Sequence, residues 1–139
     1  MKYIYITLIV CLLISCDNCK KISITKVEGS PKYENAQLIL NGAINQQDNH
    51  YLFSFDIDNY RLGEQTQKDF NYNLANSQKG QHIHFIINNG PYFAKYTSEF
   101  TEEFEEENSV VLAFLSRSYH ESVKNPNAYV LKQIGKADS

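Results

Sequence analysis

Tyr51-Leu52-Phe53-Ser54-Phe55-Asp56-Ile57-Asp58 alternates without a break. Tyr51, Phe53, Phe55 and Ile57 fall on one side of an extended chain, and Leu52, Ser54, Asp56 and Asp58 on the other. Successive side chains of a strand point to opposite faces, so the pattern predicts a strand with one buried face. Outward from it the same theme recurs. Residues 36–44 hold Leu38, Ile39 and Leu40 before the Asn- and Gln-rich break at 45–49. Residues 110–115 are a continuous apolar run suited to a central strand, and 128–134 make a last strand.

Residues 81–96 predict a hairpin. Asn88-Asn89-Gly90-Pro91 supplies turn chemistry between the strands at 81–87 and 92–96. A connection of two or four residues puts Ile83, Phe85 and Ile87 on one face with Tyr92, Ala94 and Tyr96. His82, His84 and Ile86 then share the opposite, less buried face with Phe93 and Lys95. Residues 61–80 carry no strong period and read as a long excursion with room for one short strand or turn. Irregular segments of that length are uncommon in compact domains and are often functional. The acidic stretch 100–107, with Phe100 and Phe104 embedded, lacks the Asp/Asn/Gly spacing of a calcium loop. It reads as a solvated hairpin tip whose charges guard an edge strand.

Composition agrees with β-structure: ten Tyr and eight Phe against no Trp and only the initiator Met. These alternations predict an all-β, antiparallel immunoglobulin-like sandwich of about seven strands. Its core is expected to hold Phe53, Phe55, Phe85, Ile87, Leu112 and Phe114. The net charge of −3 with only two arginines, Arg61 and Arg117, gives no nucleic-acid footprint.

The N-terminus supplies an address. Met1-Lys2 opens a short apolar run that ends in Leu13-Ile14-Ser15-Cys16, the layout of a bacterial lipoprotein signal and lipobox. About eleven apolar residues are too few for a membrane span, which needs about twenty. Residues 1–15 are therefore expected to be a signal peptide, 16–31 the lipidated Cys16 with a polar tether, and 32–139 the sandwich domain. Acyl chains on Cys16 would anchor the protein to a membrane of the cell envelope, the outer in preference to the inner. Cys11 falls in the signal, which leaves Cys19 as a spectator thiol with no internal partner.

Two features could carry chemistry. His82 and His84 are two apart on a strand, so their rings project to one face about 7 Å apart at the backbone. His120 follows the neighbouring apolar strand and could complete a three-histidine site for copper(II) or zinc. A blue-copper centre and methionine-based copper(I) carriage are excluded, since the domain has neither a core cysteine nor a methionine. The plainer alternative is that the histidines hydrogen-bond locally or lie exposed beside Lys95. The second feature is Ser116-Arg117-Ser118-Tyr119-His120-Glu121. Its Ser, His and Glu are packed into one loop without a nucleophile elbow, so no catalytic residues and no enzyme are expected. Ser116, Arg117, Ser118 and Tyr119 could grip an anion, because a guanidinium fork matches phosphate or carboxylate. A serine-capped turn with solvated Arg117 is the alternative.

The stretches Leu74-Ala75-Asn76-Ser77-Gln78-Lys79-Gly80-Gln81-His82-Ile83-His84-Phe85-Ile86-Ile87-Asn88-Asn89-Gly90-Pro91-Tyr92 and Val110-Val111-Leu112-Ala113-Phe114-Leu115-Ser116-Arg117-Ser118-Tyr119-His120-Glu121-Ser122-Val123-Lys124 resemble small envelope lipoproteins of Gram-negative bacteria. Some of these carry the automatic label "phosphopeptide-binding protein". The resemblance spans roughly residues 50–134 and implies a shared sandwich with a shared site near the histidines; it supplies no activity. Two functions follow as expectations. One is a lipid-anchored envelope binding protein whose ligand is a small molecule or a transition-metal ion at the histidine face. The other is a structural or protein-interaction lipoprotein without metal, including one that takes a phosphopeptide or anion through the 116–118 loop and meets another envelope protein.

Overall fold

Seven strands follow one another along the chain: β1 (Gln37–Gln47), β2 (His50–Asp58), β3 (His82–Ile87), β4 (Phe93–Lys95), β5 (Glu99–Glu103), β6 (Asn108–Ser116) and β7 (Tyr129–Gly135). The structure is a computed structural model that describes residues 22–24, 26, 28–47, 49–71, 73–103 and 108–135. There is no helix among the described residues. The expected signal, Cys16, Cys19 and residues 104–107 of the acidic stretch lie outside them.

The strands form two antiparallel sheets, ordered β1-β2-β5 and β4-β3-β6-β7. Lettered in the immunoglobulin manner these are A-B-E and C′-C-F-G. The fourth strand stays beside the third, where constant-type domains send it to the first sheet. The architecture is thus the expected β-sandwich, with its parity decided by the alternation first noted in β2. Phe53 and Phe55 are buried, and Ser54 and Asp56 turn outward.

Phenylalanine rings fill the space between the sheets. Phe53 meets Phe85 edge-on at 4.7 Å between ring centroids, and Phe100 stacks on Phe53 and Phe55 at 5.8 Å each. Phe100 belongs to β5, so the acidic stretch begins as an edge strand with one apolar side chain turned in. Its acidic neighbour Glu102 is ion-paired with Lys95 of β4, which ties the edge of one sheet to the edge of the other. Burial depresses the Lys95 pKa.

Two expectations about facing are corrected. On β6 the inward side chains are Val111, Ala113 and Leu115; Leu112 and Phe114 lie on the outer face and are only half-buried. A continuous apolar run has no alternation with which to choose between faces. The choice comes from pairing, which sets Phe85 against Ala113 and His84 against Phe114.

The hairpin differs by one residue. Phe85 pairs with Phe93, His84 with Ala94 and Ile83 with Lys95. Continuing that register places Ile87 opposite Pro91, so the connection holds three residues, 88–90, an odd number. Asn88 and Asn89 both take positive φ, 50° and 59°, and Gly90 N–H closes the turn on the Ile87 carbonyl at 2.8 Å. Pro91 has no N–H to donate, and the ladder resumes only at Phe93. A shift of one residue moves every side chain of a strand to the other face. Phe93 and Lys95 therefore lie on the Phe85 side, and Tyr92 and Tyr96 come to the histidine side.

The excursion at 61–80 contains no strand among its described residues and folds against the loop after β6. Thr66 N–H donates to Ser118 Oγ (3.2 Å), Ser118 N–H donates to Thr66 Oγ1 (3.0 Å), and Ser77 N–H donates to the Ser118 carbonyl (2.7 Å). The end of the expected tether is attached to both the excursion and the loop. Asp69 N–H donates to the Gly29 carbonyl (3.1 Å), and Tyr119 OH donates to Ser30 Oγ (2.9 Å).

Candidate metal centre

The histidine pair lies on the outer face of the four-stranded sheet, yet it is not exposed. His82 is 0% and His84 7% accessible. Burial on an outward face comes from three covers: β4 with its two tyrosines on one side, β6 on the other, and the 116–121 loop above. His84 stacks face to face on Tyr92 with centroids 4.0 Å apart and planes 7° apart, and Phe114 lies 5.0 Å away. Tyr96 is 5.2 Å from His82, and its hydroxyl shares a hydrogen bond of 2.7 Å with Ser77 Oγ. Lys95 points to the other face and has no part in this surface.

His120 arrives from the loop and is partly exposed at the rim. Its backbone is left-handed, φ 64°, a conformation costly for a residue with a Cβ unless its surroundings hold it. The holding groups are Ser116, Arg117, Ser118 and Tyr119. His120 N–H donates to the Arg117 carbonyl (2.9 Å), and Arg117 N–H donates to the Glu121 carbonyl (2.9 Å). The Arg117 guanidinium is buried, bound through Nε to the Pro31 carbonyl (3.1 Å) and through Nη1 to the Ser122 carbonyl (2.8 Å). The fork expected to grip an anion is thus spent on the chain's own carbonyls, and the solvated-turn alternative is equally displaced. These four residues form the platform under His120.

One nitrogen each of His82, His84 and His120 lies within 4.8 Å of the other two. The three side chains singled out on sequence are therefore brought together, and the group contains imidazoles alone. His82 Nδ1 is 2.9 Å from the Gly80 carbonyl, so Nδ1 carries the proton and Nε2 keeps a free lone pair. That Nε2 faces His84 Nε2 at 2.9 Å. His120 Nδ1 is buried and has no hydrogen-bond partner among the described residues. Leaving such a group unpaired costs about 1–3 kcal/mol, which a bound cation would offset.

Burial keeps the His82 and His84 rings neutral. Burial lowers the His84 pKa to about 4, helped by the neighbouring His82 and His120. Burial also lowers His82, with the Gly80 carbonyl pulling the other way. A metal ligand must be the neutral imidazole, so at His84 protons compete with a metal only well below the ordinary histidine range.

No family model, curated protein or solved structure matches this chain. The immunoglobulin-like architecture therefore rests on the strand order and pairing of the two sheets.

Several contributors escaped the sequence. An even-numbered turn puts Tyr92 and Tyr96 on the opposite face; the signal against it is Pro91, which has no N–H to give the ladder and so lengthens the connection. Gly80 was not singled out, although it adjoins β3. Its φ is 86°, and a Cβ there would sit 2.5 Å from the Glu64 carbonyl oxygen. Only glycine fits, and its carbonyl sets the His82 tautomer.

Proposed function

We propose that this chain is a lipid-anchored binding protein of the bacterial cell envelope whose His82, His84 and His120 take one transition-metal ion, copper(II) or zinc. The observation that carries this is the convergence of three imidazoles, one with its tautomer set by a backbone carbonyl and one with a buried nitrogen that lacks a hydrogen bond among the described residues. Metal-bound histidines characteristically donate their second N–H to such a carbonyl. Three neutral ligands leave a four-coordinate ion one position for water or an incoming group. The role is binding rather than catalysis. The lipobox at Cys16 supports export and anchoring, with the outer membrane as destination and the membrane itself as one partner. An envelope protein that exchanges the ion is the other.

A second reading has its own support. A separation of 2.9 Å between His82 Nε2 and His84 Nε2 is a hydrogen-bond length, with His84 donating. The histidines would then brace β3 against β4 and β6, in a structural or interaction lipoprotein without metal.

Untagged full-length protein in detergent separates the two. Elemental analysis after exposure to copper(II) or zinc should find one ion per chain, and the ion should raise the melting temperature, because a ligand of the folded state stabilises it. The His82/His84/His120→Ala variant should bind none. If the parent binds no metal, or the triple variant binds as well as the parent, bracing is the function of these residues.

A further inference from the structure

Resting on the metal-site reading, we infer that Ser30 and Pro31 are positioning residues for the ion: they clamp the loop on both sides of His120. Ion binding and the docking of residues 29–31, the end of the expected tether, are thereby coupled. The Ser30 hydroxyl accepts from Tyr119 OH (2.9 Å) and donates to Glu121 Oε2 (2.6 Å), the residues directly before and after His120. The Pro31 carbonyl accepts from both Nε and Nη2 of Arg117, whose own carbonyl holds the His120 N–H. One residue earlier, the Gly29 carbonyl accepts from Asp69 N–H (3.1 Å). Next to Asp69, Phe70 stands edge-on to Tyr119 with centroids 5.4 Å apart.

These contacts are costly for the loop to lose. Arg117 is 2% accessible, and it also meets the Ser122 carbonyl, Glu121 Oε1 at 3.8 Å and the Tyr33 ring. Withdrawal of Pro31 strips a buried guanidinium of the acceptor for two of its donors, and the loop must rearrange to answer it. The left-handed backbone of His120 is sustained by hydrogen bonds within that loop and relaxes with it. His82 and His84 stand apart from this change. Their strand is paired on both sides, and His82 is pinned to the Gly80 carbonyl. The docked segment therefore governs one ligand of three and leaves the other two in place. Binding equilibria that share a state are reciprocal: if docking tightens the hold on the ion, the ion tightens docking by the same factor. Lifting residues 29–31 off the loop is then a route to release of the ion.

The test uses untagged full-length chain in detergent carrying His50→Ala, which leaves only the three site histidines, with zinc as the probe. Isothermal titration compares this parent with Ser30→Ala and with Ser54→Ala, which removes a Ser–Glu hydrogen bond on the other sheet. Ser30→Ala should bind zinc at least about tenfold more weakly, the scale on which partners that orient metal ligands act, and Ser54→Ala should match the parent. Amide hydrogen exchange supplies a measurement that needs no variant at the clamp. The Asp69 N–H opens when Gly29 leaves, so saturating zinc should slow its exchange in the parent by about tenfold as well. Parental affinity in Ser30→Ala, an equal loss in Ser54→Ala, or an Asp69 amide indifferent to zinc would each overturn the coupling and leave the metal site standing. A parent that binds no zinc overturns both the coupling and the reading beneath it.

Discussion

The two faces of β3 are almost equally buried and do opposite things. Inward, Ile83 and Phe85 are 0% accessible, and Phe85 packs against Phe53 and Phe100 of the facing sheet. Outward, His82 and His84 are as well hidden, but their covers are two tyrosines, β6 and a loop that carries a third imidazole. The inner face gains stability from hydrophobic burial that is indifferent to pH and ions. The outer face keeps nitrogen lone pairs out of water and close together, which leaves them available to a cation. One six-residue strand thus turns an apolar face to the core and a cluster of imidazole nitrogens to the other side.

The largest expected effect lies on the inner face. Phe85→Ala should cost about 3–5 kcal/mol in denaturant unfolding, the usual range for a buried phenylalanine. Leu131→Ala, on the exposed outer face of β7, should stay within about 0.5 kcal/mol. Similar losses at both positions would break the distinction between the faces.

Gly80→Ala comes next, because it strikes both functions at once. The added Cβ meets the Glu64 carbonyl in a backbone region that L side chains avoid, and a cost of about 1–3 kcal/mol is expected. Metal affinity should fall as well, since the carbonyl that orients His82 is displaced. A variant with parental stability and affinity would show that the 61–80 excursion yields easily.

Acid should separate the faces without mutation. In metal-free protein the unfolded chain protonates His84 near pH 6.5, whereas the folded chain resists until about pH 4. The unfolded state therefore binds more protons between those values, and stability declines as pH falls through that window. The melting temperature of His84→Phe should fall less than the parent's over the same range. Equal slopes would mean that His84 is not held neutral by the fold.

The smallest effect concerns the stacked tyrosine. Tyr92→Leu removes a face-to-face ring contact of a kind that contributes about 0.5–1.5 kcal/mol, so metal affinity should weaken several-fold without loss of stoichiometry. Isothermal titration resolves such a change. No change would reduce Tyr92 to a cover with no part in fixing the ring.

Much of this was legible before the structure. The period-two pattern of 51–58 gives parity directly, because polar Ser54 and Asp56 leave one face to bury. The three histidines were legible by type and spacing. What escaped was parity where the pattern is silent: the unbroken apolar run of β6, and a hairpin whose turn could hold an even or an odd number of residues. Burial of His82 and His84 also escaped, since it depends on a loop thirty residues away folding over the sheet. The role of Arg117 was hidden for the same reason. A local string shows its charge, but not that Pro31 and Ser122 present carbonyls to it.

The odd count of the β3–β4 connection reaches beyond this fold. Three residues between paired strands decide whether the pair of histidines is walled by Tyr92 and Tyr96 or by Phe93 and Lys95. Deleting or inserting a single turn residue would exchange an aromatic wall for one bearing a cation, with every strand sequence untouched. Change in turn length is thus the shortest route by which descendants of this chain could trade attraction for cations against repulsion of them. Library design for altered ion preference should start with the length of that connection before its composition.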